Sequence, residues 1–230
     1  MRRFLFVLEF FPPHIGGVEV LFGELAEELA RRGHLVDVIT SAERSSVETR
    51  GNVTIRRIRA GRYLFMLRAI PHAIRAARRA DLIHTTTYNA AIPAWIAAKL
   101  ARKPIVLTAH EVFGRQWHEM PGMNPLLGYA YRLFESLVLR LGWKHVITPS
   151  DFTRNRLPDP SRATTIHNAV DHDFWSAARH APRKYDAPFV YLYFGRPGVS
   201  KGVEYLLDAA EIVRRERPES RLLMILSREP

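Results

Sequence analysis

RFLFVLEFFPPHIGGVEVLFGELAEELARRGHLVDVIT, residues 3–40, sets three patterns end to end. Phe4 to Leu8 is an unbroken apolar run, the pattern of a strand covered on both faces. A Pro/Gly loop follows. Beyond it Leu21, Leu25 and Leu29 recur at i, i+4 and i+8 with Phe22 and Ala26 beside them, while Glu24, Glu27 and Glu28 lie opposite. That is one apolar stripe on a helix. Arg31 and Arg32 suit its carboxyl end, and Gly33 is a natural stop because glycine accepts a left-handed backbone. LVDVIT, residues 35–40, is the next strand. A strand, a helix and a strand in this order predict a βαβ unit, whose strands are parallel.

The alternation continues outward. VTIRRIR (53–59) predicts a more exposed strand, because arginines interrupt its apolar residues. A basic helix is expected from Gly61 to about Ala80, then a strand at DLIHTT (81–86) and a helix at AAIPAWIAAKLARK (90–103). PIVLTAH (104–110) is a strand ending at His110, and NPLLGYAYRLFESLVLRLG (124–142) a long helix. HVITPS (145–150) and ATTIHNAV (163–170) are strands around a short helix at DFTRNRL (151–157). The fold class is therefore α/β, a doubly wound and mostly parallel sheet with helices on both faces. The pattern is lost in WSAARHAPRKYDAP (175–188), and a domain covering residues 1–175 is expected to pass there into a linker, 176–188. Residues 189–230 then read as one βαβ unit: FVYLYF, a helix from Lys201 to Arg217, and RLLMIL. Two strands and one helix cannot bury enough surface to stand alone, so this unit is expected to belong to an incomplete second domain or to dock elsewhere.

Composition narrows the partners. The 230 residues are 47% apolar and 25% charged, ordinary for a globular protein, and contain no cysteine, which excludes disulfides and thiolate metal sites. Arg2, Arg3 and the first apolar run loosely mimic a signal peptide, but the run ends at Pro12-Pro13 without a small-residue cleavage site. No apolar run approaches a bilayer span. A net charge of +11 points to anionic partners: nucleic acid, anionic headgroups or phosphorylated ligands. A compositional bias toward arginine accounts for it equally well. No nucleic-acid motif or aromatic stacking signature is present.

In a parallel sheet, ligands bind beyond the carboxyl ends of the strands, so the loops there carry the candidates. In FFPPHIGGVEV (10–20), Gly16 and Gly17 allow close approach of a ligand to a helix N-terminus, although a tight strand-to-helix turn needs the same residues. In TAHEVFG (108–114), His110 and Glu111 follow a strand end, where a histidine can donate to an oxygen or act as a base. No further histidines stand at metal-ligand spacing, and Asp171-His172-Asp173 reads as a connection rather than a cation site, so no metal is expected. In FGRPGVSKG (194–202), Arg196 and Lys201 sit at a helix start, where two cations oppose the helix dipole unless an anion arrives. On the basic helix, Arg68, Arg75, Arg78 and Arg79 share one side with His72, opposite Leu67, Ile70, Ala73, Ile74 and Ala77. That suits a sheet-packing helix with a solvated face, or one lying on an anionic membrane.

Four segments in this order, PPHIGGVE (12–19), ITPSDFTRN (147–155), IHNAVDHDFW (166–175) and FGRPGVSKGVEYLLDAA (194–210), resemble the retaining GT-B glycosyltransferases of the group 1, or family 4, type. The resemblance implies two Rossmann-like domains, of which this chain carries the acceptor-side domain and the opening βαβ unit of the donor-binding one. It implies transfer of a sugar from a nucleotide-diphosphate sugar to a saccharide or lipid-linked acceptor, without metal or other cofactor. His110 would lie at the catalytic centre. Arg196 and Lys201 would meet the donor diphosphate, and Gly16 and Gly17 would approach that donor diphosphate or the acceptor. Glu111, Ser150 and Asn168 would be acceptor-side or hinge residues. Glu111 stands where many members have aspartate. The family's later E-x7-E motif, which binds donor sugar and ribose, lies beyond Pro230, so the isolated chain is expected to be inactive. Relatives with lipid-linked acceptors dock a basic helix on membranes, which implies a cytoplasmic protein, peripheral on the inner face, with Arg68, Arg75, Arg78 and Arg79 as contacts. The other reading is a non-catalytic assembly module, or half of a split enzyme, that pairs as a homodimer or with a complementing C-terminal half.

Overall fold

The computed structural model of the chain describes residues 1–120, 122–170, 172–176, 187–195, 197 and 201–226. They fall into two compact units, one of Met1–Trp117 with Pro125–Ala169, the other of His118–Asn124 with the chain from Val170 onward.

In the first unit, strand β1 (Arg3–Val7) lies in the middle of the sheet because both its faces are apolar. Phe6 and the following Leu8 pack on one side with Phe22 and Ala26 of helix α1 (Gly17–Arg31). Leu5 and Val7 pack on the other, in a second core. Helix α1 stops where the sequence predicts: Gly33 has φ +80° and His34 N–H donates to the Leu29 carbonyl at 3.0 Å. The chain continues through β2 (Leu35–Ala42), β3 (Ser46–Arg50), β4 (Val53–Arg59), α2 (Arg62–Ala77), β5 (Leu82–Thr86), α3 (Ala91–Ala101) and β6 (Ile105–Thr108). It ends with α4 (Pro125–Arg140), β7 (His145–Thr148), α5 (Asp151–Arg154) and β8 (Ala163–Thr165). The sheet order is β3-β4-β2-β1-β5-β6-β7-β8, parallel except for the β3–β4 hairpin. The direction of winding reverses between β1 and β5, which places the ligand crevice of such a sheet at their carboxyl ends. The mostly parallel, doubly wound α/β sheet expected from the sequence is what the chain forms.

Four details differ from the expectation. Strand β3 (SVETR) pairs outside β4, so β4 is an inner strand with Val53, Ile55 and Ile58 buried. Its arginines are accommodated by the antiparallel neighbour: Arg57 donates to Glu48 of β3 at 2.9 Å. Strand β8 stops at Thr165, five residues before the end of the apolar segment, since Ile166 and Val170 are exposed. The long helix begins at Pro125, as a proline at the first helical position favours. Leu67 does not join the packed side of α2: it is 63% exposed, and alanines take its place. Ala69, Ala73, Ala76 and Ala77 of α2 meet Ala94, Ala97 and Ala98 of α3 in the core, and small side chains there bring the helices close. Pro71 lies inside α2 on the exposed side, where the carbonyl it leaves unbonded faces water.

The second unit holds α6 (His172–Ser176), β9 (Val190–Gly195), α7 (Val203–Glu216) and β10 (Arg221–Leu226). Strands β9 and β10 are parallel, from Val190 opposite Arg221 to Gly195 opposite Leu226. Leu192, Phe194 and Ile225 remain more than half exposed, so this βαβ unit leaves its apolar side chains uncovered. Most of the expected linker, 176–188, lies outside the described residues.

Candidate functional site

The β1–α1 turn brings Gly16 and Gly17 to the crevice end of the sheet, with Gly16 as the N-cap of α1. Two different constraints act on the pair. Glu19, one turn in and buried, folds back over the cap; a Cβ on Gly16 would collide with its Oε2. His14 Nδ1 lies 3.3 Å from the Glu19 carboxylate. The positive end of α1 is thus already met by the chain's own carboxylate. Gly17 faces open space, with nothing within 4 Å of the Cβ it lacks.

His110 stands two residues beyond β6. Its Nε2 is buried and has no hydrogen-bond partner among the described residues. Burial pushes the imidazole down to about 4, so it is neutral near pH 7. Behind it His84 donates to or accepts from Thr108 Oγ1 at 2.7 Å and packs edge-on against Phe6 and Phe22. The His84 ring is also held at about 4, by burial first and then by His110. A neutral imidazole with one unused buried nitrogen can accept a proton from, or donate one to, a hydroxyl brought against it.

The loop after His110 is braced from a distance. Glu135 of α4, only 2% exposed, accepts from Phe113 N–H at 2.9 Å, Gly114 N–H at 2.6 Å and the Tyr88 hydroxyl at 3.0 Å. Tyr88 has φ +72°, a left-handed backbone that an aromatic residue adopts only under constraint. Its phenol is pushed up by burial and then by the Glu135 and Glu111 carboxylates. Tyr88, Phe113 and Tyr131 ring Trp117, with centroids 6.0, 4.7 and 5.0 Å away, and the buried Trp117 Nε1 has no partner among the described residues. A second brace joins the strand ends: Glu9 contacts Arg62 Nε at 2.6 Å and accepts from Asn89 Nδ2 at 3.0 Å. Sequence reading misses Glu9, Asn89, Tyr88 and Glu135. The one signal for Glu135 is a lone carboxylate in an otherwise apolar and basic helix.

The remaining candidates are dispersed. Glu111 is exposed beside His110. Ser150 caps α5, its Oγ accepting from Thr153 N–H at 3.2 Å, and Asn168 is exposed beyond β8. Lys201 is exposed in the second unit just ahead of α7, whose N-cap Gly202 has φ +64°. Arg196 and Asp171 lie outside the described residues. On α2, Arg68 donates to the Arg59 carbonyl at 2.6 Å and Arg75 is exposed, as are Arg78 and Arg79 just past its end. No group of three His, Asp or Glu side chains among the described residues could hold a metal ion.

The model of glycosyltransferase family 4 matches residues 15–174. No curated protein matches the sequence. The fold is similar to that of sucrose-phosphate synthase from Thermosynechococcus elongatus, with 19% identity and a TM-score of 0.72 over 100% of this chain and 63% of that one. It is also similar to HepE of Anabaena, solved with UDP and glucose, with 15% identity and a TM-score of 0.57 over 99% of this chain and 70% of that one. UDP-GlcNAc 2-epimerase of Methanocaldococcus jannaschii is a third, with 7% identity and a TM-score of 0.55 over 98% and 66%. The chain thus spans less than two thirds of the length of the synthase. Because a synthase and an epimerase share the fold, the fold alone does not select a reaction.

Proposed function

The chain belongs to glycosyltransferase family 4, and from that premise we propose that it forms the acceptor side of an enzyme moving a sugar from a nucleotide-diphosphate sugar to a saccharide or lipid-linked acceptor. The observation that carries this reading is His110: neutral, at a strand's carboxyl end, with Nε2 unpaired among the described residues, inside the segment that matches the family. In this role His110 meets the sugar at the reacting centre, and the transfer retains the anomeric configuration. Arg196 and Lys201 neutralise the departing diphosphate, and Gly17 lets the backbone come close to the ligand. Gly16 serves the Glu19 cap instead, which narrows the role the sequence suggested for the pair. Ser150 acts on the acceptor side through the α5 turn that it caps. Transfer needs the second unit completed, because the apolar side chains of β9 and β10 call for a further layer. The test is to supply a complementing segment carrying the glutamate motif, screen nucleotide-diphosphate sugars by thermal shift, and assay transfer with those that bind. Stabilisation by such sugars without transfer to any saccharide or lipid-linked acceptor would count against the reading.

A second observation favours a membrane-bound acceptor. Leu126, Ala130, Leu133 and Leu137 recur along α4 at spacings of four, three and four, and all are exposed. Leu126 is 82% exposed. Tyr63, Leu64 and Leu67 of α2 are exposed as well, and Tyr63 and Tyr131 join the two helices by a 2.9 Å hydroxyl contact. The only acidic residue on either helix is the buried Glu135. An apolar face fringed solely by arginines suits an anionic bilayer surface. The contact we propose is therefore α4 with the first turns of α2, and the arginines Arg68, Arg75, Arg78 and Arg79 supply attraction from its margin. No helix among the described residues is long and apolar enough to cross a membrane.

A further inference from the structure

The far edge of the sheet holds a cleft that the transferase reading does not use. It lies between the β3–β4 hairpin and α2, has a volume of about 240 Å3, and is lined by Ser45, Ser46, Val47, Arg56, Ile58 and His72, with Arg57 at its edge. One water's share of liquid volume is about 30 Å3, so the cleft has room for a tetrahedral oxyanion and its remaining hydration. Strands β4, β2, β1, β5 and β6 separate it from His110 by four strand spacings, about 19 Å.

Its polar lining is made of donors. Arg56 and Ile58 lie on the α2 side of β4, where Ile58 joins the core, and Val47 pairs with Arg56 across the hairpin. A guanidinium offers five N–H groups and accepts nothing. Ser45 Oγ already accepts from Arg59 N–H at 2.9 Å, so its own proton is left to give. No Asp or Glu lines the cleft. Glu48, the carboxylate of the hairpin, is held by Arg50 and Arg57, at 2.5 and 2.9 Å. Arg57 is directed away, its Nη2 donating to the Pro12 carbonyl at 2.7 Å. Arg56 and Arg75 form no ion pair among the described residues, and α2 has no acidic residue to offer. His72 is held below its ordinary range by burial, then by Arg56 and Arg75. Positive charge is thus crowded around a concave, donor-lined space without a counter-ion among the described residues.

We propose that this cleft is an oxyanion site for one phosphate group, with Arg56 as its cationic wall, Ser45, Ser46 and the His72 ring as neutral donors, and Arg75 adding charge from the next turn of α2. The bound group is a phosphate ester, on a soluble molecule or on a lipid headgroup. Neither His110 nor the donor loop takes part.

The test uses the full chain and inorganic phosphate, followed by NMR of the His72 ring. Saturable shifts of the His72 signals and a rise of its pKa on binding are expected. Arg56→Gln should weaken the affinity at least tenfold, whereas Arg2→Gln, exposed and outside the cleft, should leave it unchanged. Vesicles of phosphatidylcholine with and without phosphatidic acid then name the source. Loss of phosphatidic acid-dependent binding in Arg56→Gln identifies a headgroup, and retention identifies a soluble ester; either upholds the site. Absence of any His72 response to phosphate overturns it. So does equal weakening by Arg56→Gln and Arg2→Gln, which is the behaviour of diffuse surface charge.

Discussion

His110 and His84 carry the pH dependence of the site. Both rings sit at about 4 in the folded protein, below the unfolded histidine value near 6.5. Between those pH values the unfolded chain binds protons that the folded chain refuses. Stability is therefore complete above pH 6.5 and falls as pH drops toward 4. For His84 the loss is on the order of 2–3 kcal/mol. Urea denaturation at pH 7.5 and pH 5 checks this, and a His84→Gln variant should show a smaller difference between the two. Glu135 acts by hydrogen bonding instead. Glu135→Ala leaves the Phe113 and Gly114 N–H groups without their acceptor and should cost about 2–4 kcal/mol, because buried donors are stranded. An unchanged urea midpoint would mean that water replaces the carboxylate at no cost.

At the scale of the element, the start of α1 makes the sharpest claim. Gly16→Ala pushes its new methyl into Glu19, so the substitution should cost about 1–2 kcal/mol, the range for loss of a helix cap. In a Glu19→Ala background the same substitution should cost much less, and additive losses in the double-mutant cycle would refute the proposed collision. How far each element can be read from sequence follows from the range of the forces that form it. Helix α1, β1 and the Gly33 stop are local: periodicity and one left-handed residue specify them. Strand β3 is polar and exposed along most of its length, and exists because β4 offers it a free edge. Such pairing leaves no trace in SVETR itself. His110 is legible because a strand ends just before it. Glu135 and Tyr88 are not, since their contacts join residues 47 apart and Tyr88's backbone is fixed by them. The periodicity of α2 put Leu67 on the packed side, yet alanines form the contact with α3 because only small side chains fit between close helices.

At the scale of the whole molecule, the proposed membrane contact divides its work between the exposed leucines of α4 and the arginines of α2. Flotation with anionic liposomes should be abolished by Leu133→Glu combined with Leu137→Glu, and only weakened by Arg75→Glu. The reverse ranking would make the basic side of α2 the contact. Failure of both to matter would leave the apolar face for a protein partner, such as a second copy. The proposed catalytic account rests on one residue of the first unit, and it is tested most directly by transfer kinetics with a donor-domain segment supplied. His110→Ala should lower kcat by about 10²–10⁴-fold while donor affinity and urea stability at pH 7.5 hold, as expected for a group acting on the reacting sugar. Transfer at the unsubstituted rate by His110→Ala would contradict the account.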